Sequence, residues 1–230
     1  MVTISSRMIP LRDTIKSRTI PFVNYGLIAC CGLVFLYELS LGDEIESFLY
    51  TYGVTPARAF SALFRGDFSF DAVFPLFTSL FLHGGWLHLL GNMIYLYVFG
   101  DNVEDRLGHG AYLVFYLLAG VGASLTEVCF QRASTAPLIG ASGAIAGVLG
   151  AYFILYPRSR ILTLIPLLFF FPVLEISAFF FLGFWFVMQF IQASLSSGAH
   201  AGGGVAWWAH AGGFIFGAGS LPFFLRARRR

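Results

Sequence analysis

Long apolar stretches alternate with short polar ones along the 230 residues, and several of the apolar stretches reach the roughly 20 residues a helix needs to cross a bilayer. The first runs over 20–41 and opens on Pro21, whose fixed φ suits a first helical turn. Residues 72–100 carry no Asp, Glu, Lys or Arg, which predicts a second span over 83–100, followed by a polar turn at 101–106. A third span is predicted over 109–129, and a short loop at 131–137 leads to a fourth over 138–156. The next apolar stretch, 161–174, holds Pro166 and Pro172 and is too short to cross alone, so it is expected to lie in the interface. A fifth span follows over 175–193 and a sixth over 205–225, separated by a Ser-, Ala- and Gly-rich loop, 194–206. The pattern predicts an all-α polytopic membrane protein: a six-helix membrane domain over 20–225, an N-terminal segment 1–19 and a basic tail 226–230. In the loop 42–73, Phe48, Phe60, Phe64, Phe68 and Phe70 predict short elements resting in the interface.

Composition narrows the class. The chain is 57% hydrophobic, 18% aromatic and only 11% charged, against about 25% charged in a soluble domain. A net charge of +2 gives no reason to invoke nucleic acid as a partner. Cys30, Cys31 and Cys129 sit in or beside apolar runs and read as small hydrophobes, not as a disulfide framework. The first apolar run is long and lacks a small-x-small exit, so it is expected to be an uncleaved signal anchor.

Charge sets the orientation. Six spans return both termini to one side, and an inside N-terminus gathers eleven basic residues there: Arg7, Arg12, Lys16, Arg18, Arg106, Arg158, Arg160 and the four arginines of 226–230. The outside keeps three, Arg58, Arg65 and Arg132, so the positive-inside rule favours N-in, C-in. The arginine tail then reads as anchoring to anionic lipid.

Spans two, four and six now run in one direction, and their first turns share the outer leaflet. Those turns hold His83, His88 and Asn92, then Ser142, then His210. At about 1.5 Å rise per residue, Ser142 and His210 would lie roughly 6–10 Å below the outer edge. A serine hydroxyl needs a neighbouring base, most often histidine, to act as a nucleophile at neutral pH. His88 and Asn92, four residues apart, share a helix face and could donate to a developing oxyanion, as could the Ser142 amide at a helix start. No acidic residue follows Glu175, and the fourth span has none, so a Ser–His dyad without an orienting acid is the simplest reading. Gly140, Gly143, Gly147 and Gly150 recur at helical spacing, as do Ala209, Gly213 and Gly217, and two such small-residue faces would let the fourth and sixth spans touch.

These residues resemble the rhomboid family of intramembrane serine proteases. The resemblance covers about 20–225 and rests on His83-Gly84-Gly85-Trp86-Leu87-His88-Leu89-Leu90-Gly91-Asn92, on Gly140-Ala141-Ser142-Gly143 and on Ala209-His210-Ala211-Gly212-Gly213-Phe214-Ile215-Phe216-Gly217. Glu104-Asp105-Arg106 is similar to the family's Glu-x-Arg turn. The resemblance implies Ser142 as nucleophile and His210 as general base. His88, Asn92 and the Ser142 amide form the implied oxyanion hole, and His83 lies in a water-accessible cavity. Glu104 and Arg106 are implied to tie helix ends together, and 194–206 to form a cap over the site. It further implies cleavage of transmembrane segments of other proteins near the outer surface, with no metal or cofactor. The expected setting is a prokaryotic inner membrane, with the site open to the outer side. Two positions depart from the family pattern: Phe74-Pro75 stands where some members have Trp-Arg, and Ala146 where some have an aromatic that stacks on the base.

Three other readings compete. A non-catalytic relative that binds membrane clients generally lacks the serine or the histidine, and both are here. A transporter would carry inverted repeats and mid-membrane charge, whereas Glu38, Glu127 and Glu175 lie near span ends. A metal site from His83, His88 and His210 has no Cys or carboxylate to complete it.

Overall fold

The computed structural model describes residues 8–166, 170–196 and 205–228. The expected cap over 194–206 falls largely on 197–204, and the tail ends on 229–230, both outside the described residues. The chain is mostly helical. Its long helices are α1 (Phe22–Ser40), α6 (Trp86–Leu107), α7 (His109–Phe130), α8 (Ser142–Leu155), α9 (Ala178–Ser196) and α10 (Trp207–Arg228). Between α1 and α6 lie four short helices: α2 (Ile45–Tyr52), α3 (Pro56–Arg65), α4 (Phe70–Val73) and α5 (Pro75–Thr78). Phe64, Phe68 and Phe70 are exposed there, as expected of interface-resting elements.

By length and apolarity alone, α1, α7 and α9 can cross a membrane, and a fourth span results if 70–81 and α6, bent by 81°, count as one. The other two candidate spans fall short for identifiable reasons. At 14 residues, α8 is about 21 Å long, and α10 is diluted by glycines and His210. Of the two, α8 needs no apolar exterior, whereas α10 exposes Ile215 and Phe223. Every residue from Gly143 to Tyr152 is buried, so α8 is enclosed by protein.

The architecture departs from purely α in one place. β1 (Ile9–Asp13), β2 (Arg160–Leu164) and β3 (Val173–Ser177) form an antiparallel sheet in the order β1-β2-β3, where the apolar pattern predicts only an interfacial stretch and a polar terminus. The prolines at 166 and 172 forbid a helix through the segment, and alternation buries Ile161 and Thr163 while leaving Arg160 exposed. Pro10, which has no N–H to give a ladder, sits on edge strand β1 beside a register shift.

Helix directions follow from their contacts. A Cβ on Gly213 would collide with the Gly143 carbonyl, and one on Gly217 with the Gly147 carbonyl, so α8 and α10 run parallel with backbones touching. Gly143 faces Ala123 and Gly147 faces Ala119, which makes α7 antiparallel to α8. The two glycine faces predicted from spacing therefore do meet. Around them pack Phe99, Phe115, Tyr116, Tyr152, Phe181 and Leu149, all fully buried.

Candidate active site

The site begins at a turn. Gly140 has φ of 121°, a region that disfavours side chains, and its N–H donates to the Ser79 carbonyl at 2.8 Å. A Cβ here would lie 2.7 Å from His88 Nε2, so glycine also makes room for that ring. Two residues later Ser142 opens α8, where a first-turn amide has no intrahelical acceptor.

His210 lies in the first turn of α10 and is 9% exposed. That turn is fixed by Glu127 of α7, whose Oε2 accepts the Ala209 N–H at 2.8 Å. The parallel α8–α10 contact brings His210 Nε2 to 2.8 Å from Ser142 Oγ. On the other edge of the ring, His210 Nδ1 lies 2.7 Å from Oε1 of Gln189 on α9. No acid occupies that place, in keeping with the lack of acidic residues after Glu175, but an amide does, and the dyad reading did not foresee it. Trp185, one turn before Gln189, lies 5.9 Å from the imidazole centroid, and Trp207 packs edge-on at 6.0 Å. These two indoles hold the ring where Ala146 offers no aromatic.

His88 and Asn92 of α6 converge beside Gly140. The Gly84 N–H donates to His88 Nδ1 at 3.4 Å, which leaves the proton on Nε2, the nitrogen that faces the turn. Asn92 Nδ2 donates to His83 Nε2 at 3.0 Å, and His83 Nδ1–H donates to the Phe81 carbonyl at 3.1 Å. The expectation that His83 lies in a wet cavity is corrected here. It is 2% exposed, its backbone N–H donates to Glu38, and its ring backs Asn92.

Outside the site, Glu104 is buried at the start of α1, where its carboxylate accepts the Val23 and Asn24 amides at 3.0 and 2.7 Å. Phe74-Pro75 does not leave its loop loose: Thr78 Oγ1 donates to the Tyr52 carbonyl at 2.7 Å, and Val54 pairs with Leu138. Among the described residues no group of three or more His, Cys, Asp or Glu is disposed to hold a metal ion.

Sequence comparison covers the same region. The profile of the Rhomboid domain matches residues 71–227, the stretch that contains every site residue above. "RHOMBOID-like protein 1" of Arabidopsis thaliana is 40% identical over 79 residues, 34% of this chain and 20% of its own length. "Rhomboid protease GluP" of Bacillus subtilis is 36% identical over 132 residues, 57% of this chain and 24% of its own. "Rhomboid protein 1, mitochondrial" of Saccharomyces cerevisiae is 35% identical over 99 residues, 41% of this chain and 27% of its own. The chain thus spans about a quarter of the length of these relatives. They come from a plant, a bacterium and a yeast mitochondrion, so the expectation of a prokaryotic inner membrane has no support from them. An integral membrane protein is what stands.

Proposed function

Because the chain belongs to the rhomboid family, we propose that it is an intramembrane serine endopeptidase that cleaves transmembrane segments of other proteins. The observation that carries the reading is the 2.8 Å contact between Ser142 Oγ and His210 Nε2, formed where two glycine-faced helices touch. Ser142 Oγ–H donates to Nε2. As Oγ attacks the scissile carbonyl, the proton passes to the imidazole and the carbonyl oxygen gains the negative charge. His88 Nε2–H, the second Asn92 Nδ2–H and the Ser142 N–H are the donors for that oxyanion. The imidazolium returns its proton to the leaving amine. Water, deprotonated by the same ring, then releases the acyl group from Ser142. A peptide bond locked in a helix cannot present its carbonyl to Oγ, so the substrates are helices that unwind readily near the site.

In this reading the six long helices are six spans. The short α8 is sheltered by its neighbours, and both termini lie on the basic, inner side. The bilayer is a partner throughout, and no cofactor or metal enters the proposed steps.

The test is cleavage of a model single-span substrate by wild type and by Ser142→Ala, alongside labelling with a serine-directed fluorophosphonate. Wild type should cleave and be labelled at Ser142, and the alanine variant should do neither. Equal cleavage by both would remove the mechanism.

A further inference from the structure

We propose that Gln189 is a positioning residue for His210: its side-chain carbonyl accepts the Nδ1–H and so fixes the tautomer whose bare Nε2 faces Ser142. The inference rests on the reading of Ser142 and His210 as nucleophile and base. It starts from a cost. Gln189 interrupts the apolar run 178–188 and is 4% exposed, and a buried amide needs hydrogen-bond partners to offset its desolvation. Its Oε1 lies 2.7 Å from His210 Nδ1, across 21 residues of sequence.

A neutral imidazole carries one proton on two nitrogens, and only one arrangement can serve a nucleophile. With the proton on Nδ1, Nε2 has a lone pair for the Ser142 hydroxyl. With the proton on Nε2, two donors face each other across 2.8 Å. An acceptor at Nδ1 decides between them, as the orienting partner does in any base-activated nucleophile. An amide carbonyl does so without burying a carboxylate among Trp185, Phe186 and Phe214, which line this part of the α9–α10 contact. Trp185 and Gln189 are one turn apart, so a single face of α9 grips both the edge and the side of the ring. The base is thereby held from a helix that carries neither it nor the nucleophile.

Among the described residues, the other titratable side chains near the ring are His88, across the Gly140 turn, and Glu127, engaged by the Ala209 amide. Changing Gln189 leaves both in place, which makes the test clean. The full chain is reconstituted in lipid nanodiscs as wild type, Gln189→Leu, which keeps similar bulk without an acceptor, and Gln189→Glu. The first readout is the ¹⁵N spectrum of histidine-labelled protein, with His210 assigned by its loss in His210→Ala. Wild type should show His210 protonated at Nδ1 and bare at Nε2, and Gln189→Leu should show mixed tautomers. The same Nδ1–H population in both overturns the proposal.

The second readout is kinetic. Gln189→Leu should lower kcat about 10- to 100-fold with KM within about twofold, since only the transition state uses the oriented base. Gln189→Glu should keep most of the activity and move the acidic limb of the pH–rate profile up by about one unit, because a carboxylate beside the ring favours its protonated form. A limb at the wild-type pH in a folded Gln189→Glu protein overturns the proposal even if Gln189→Leu fails to fold. If fluorophosphonate labels wild type and Gln189→Leu at one rate, the protease reading stands and this inference falls. If it labels neither protein, the protease reading falls, and the tautomer spectrum alone decides whether Gln189 holds the ring.

Discussion

Asn92 donates one of its two Nδ2 hydrogens to His83 and keeps the other for the space beside Gly140. If that second hydrogen meets the oxyanion, Asn92→Ala should lower kcat about 10²- to 10³-fold while Ser142 still reacts with fluorophosphonate. Unchanged kcat would take Asn92 out of the mechanism. The residues of this site were legible in the sequence because each polar group stands in an apolar run where it is costly to keep. Gln189 obeys the same rule and was legible as an anomaly, but not as a partner of His210. Which nitrogen it meets depends on how α9 is rotated, and 21 residues of chain with an intervening loop do not specify that rotation. His83 shows the converse. Its motif position gives its neighbourhood, and only the packing of Glu38 and Phe81 puts it behind Asn92 instead of in water.

At the scale of elements, three buried carboxylates do one kind of work. Glu104 accepts amides at the start of α1, Glu127 at the start of α10, and Glu38 the His83 amide just before α6. Backbone N–H groups at helix starts lack partners, and a carboxylate there also meets the positive end of the helix dipole. Glu127→Ala should therefore lower stability by about 1–3 kcal/mol, read as a drop in Tm, and should slow labelling of Ser142 because the turn bearing His210 loosens. An unaltered Tm would show that water replaces the carboxylate. The α8–α10 contact is stricter. Gly217→Val would drive a side chain into the Gly147 carbonyl, so the helices must separate at a cost of about 1–3 kcal/mol and Ser142 and His210 move apart. Labelling of Gly217→Val at the wild-type rate would show that the contact does not govern the pair. The small sheet was less legible, because β1 (Ile9–Asp13) pairs with the distant β2 (Arg160–Leu164) and each strand alone is a short apolar or basic stretch.

Taken whole, the molecule joins its N-terminal strand to the end of the central helix. Asp13 of β1 accepts hydrogen bonds from the Tyr152 hydroxyl of α8 and, at 2.9 Å, from Asn102 Nδ2 of α6. Burial pushes the Asp13 carboxyl up to about 6 from 3.8, with nearby Asp101 adding to the rise. The folded state thus holds this proton more tightly than the unfolded chain does, so Asp13 favours folding below about pH 4, and that contribution fades as pH rises through about 6. Asp13→Asn, which keeps an acceptor without the charge, should flatten the fall in Tm between pH 4 and pH 7. Parallel Tm curves for the two proteins would discount this role.

The sequence by itself determined the membrane character, the glycine faces, five polar side chains of the candidate site and, to within about four residues, the boundaries of the long helices other than α6, which runs on to Leu107 through the expected polar turn at 101–106. Apolar run length, helical spacing and the cost of burying polar groups act locally along the chain. Only the tertiary structure decided that α8 is a sheltered central helix, that a sheet pairs Asp13 with Ile161 and brings its carboxylate to the Tyr152 hydroxyl, and that α9 presents Gln189 to the imidazole. Each of those depends on how separate helices rotate and register against one another, and that is settled by side-chain packing between segments far apart in sequence.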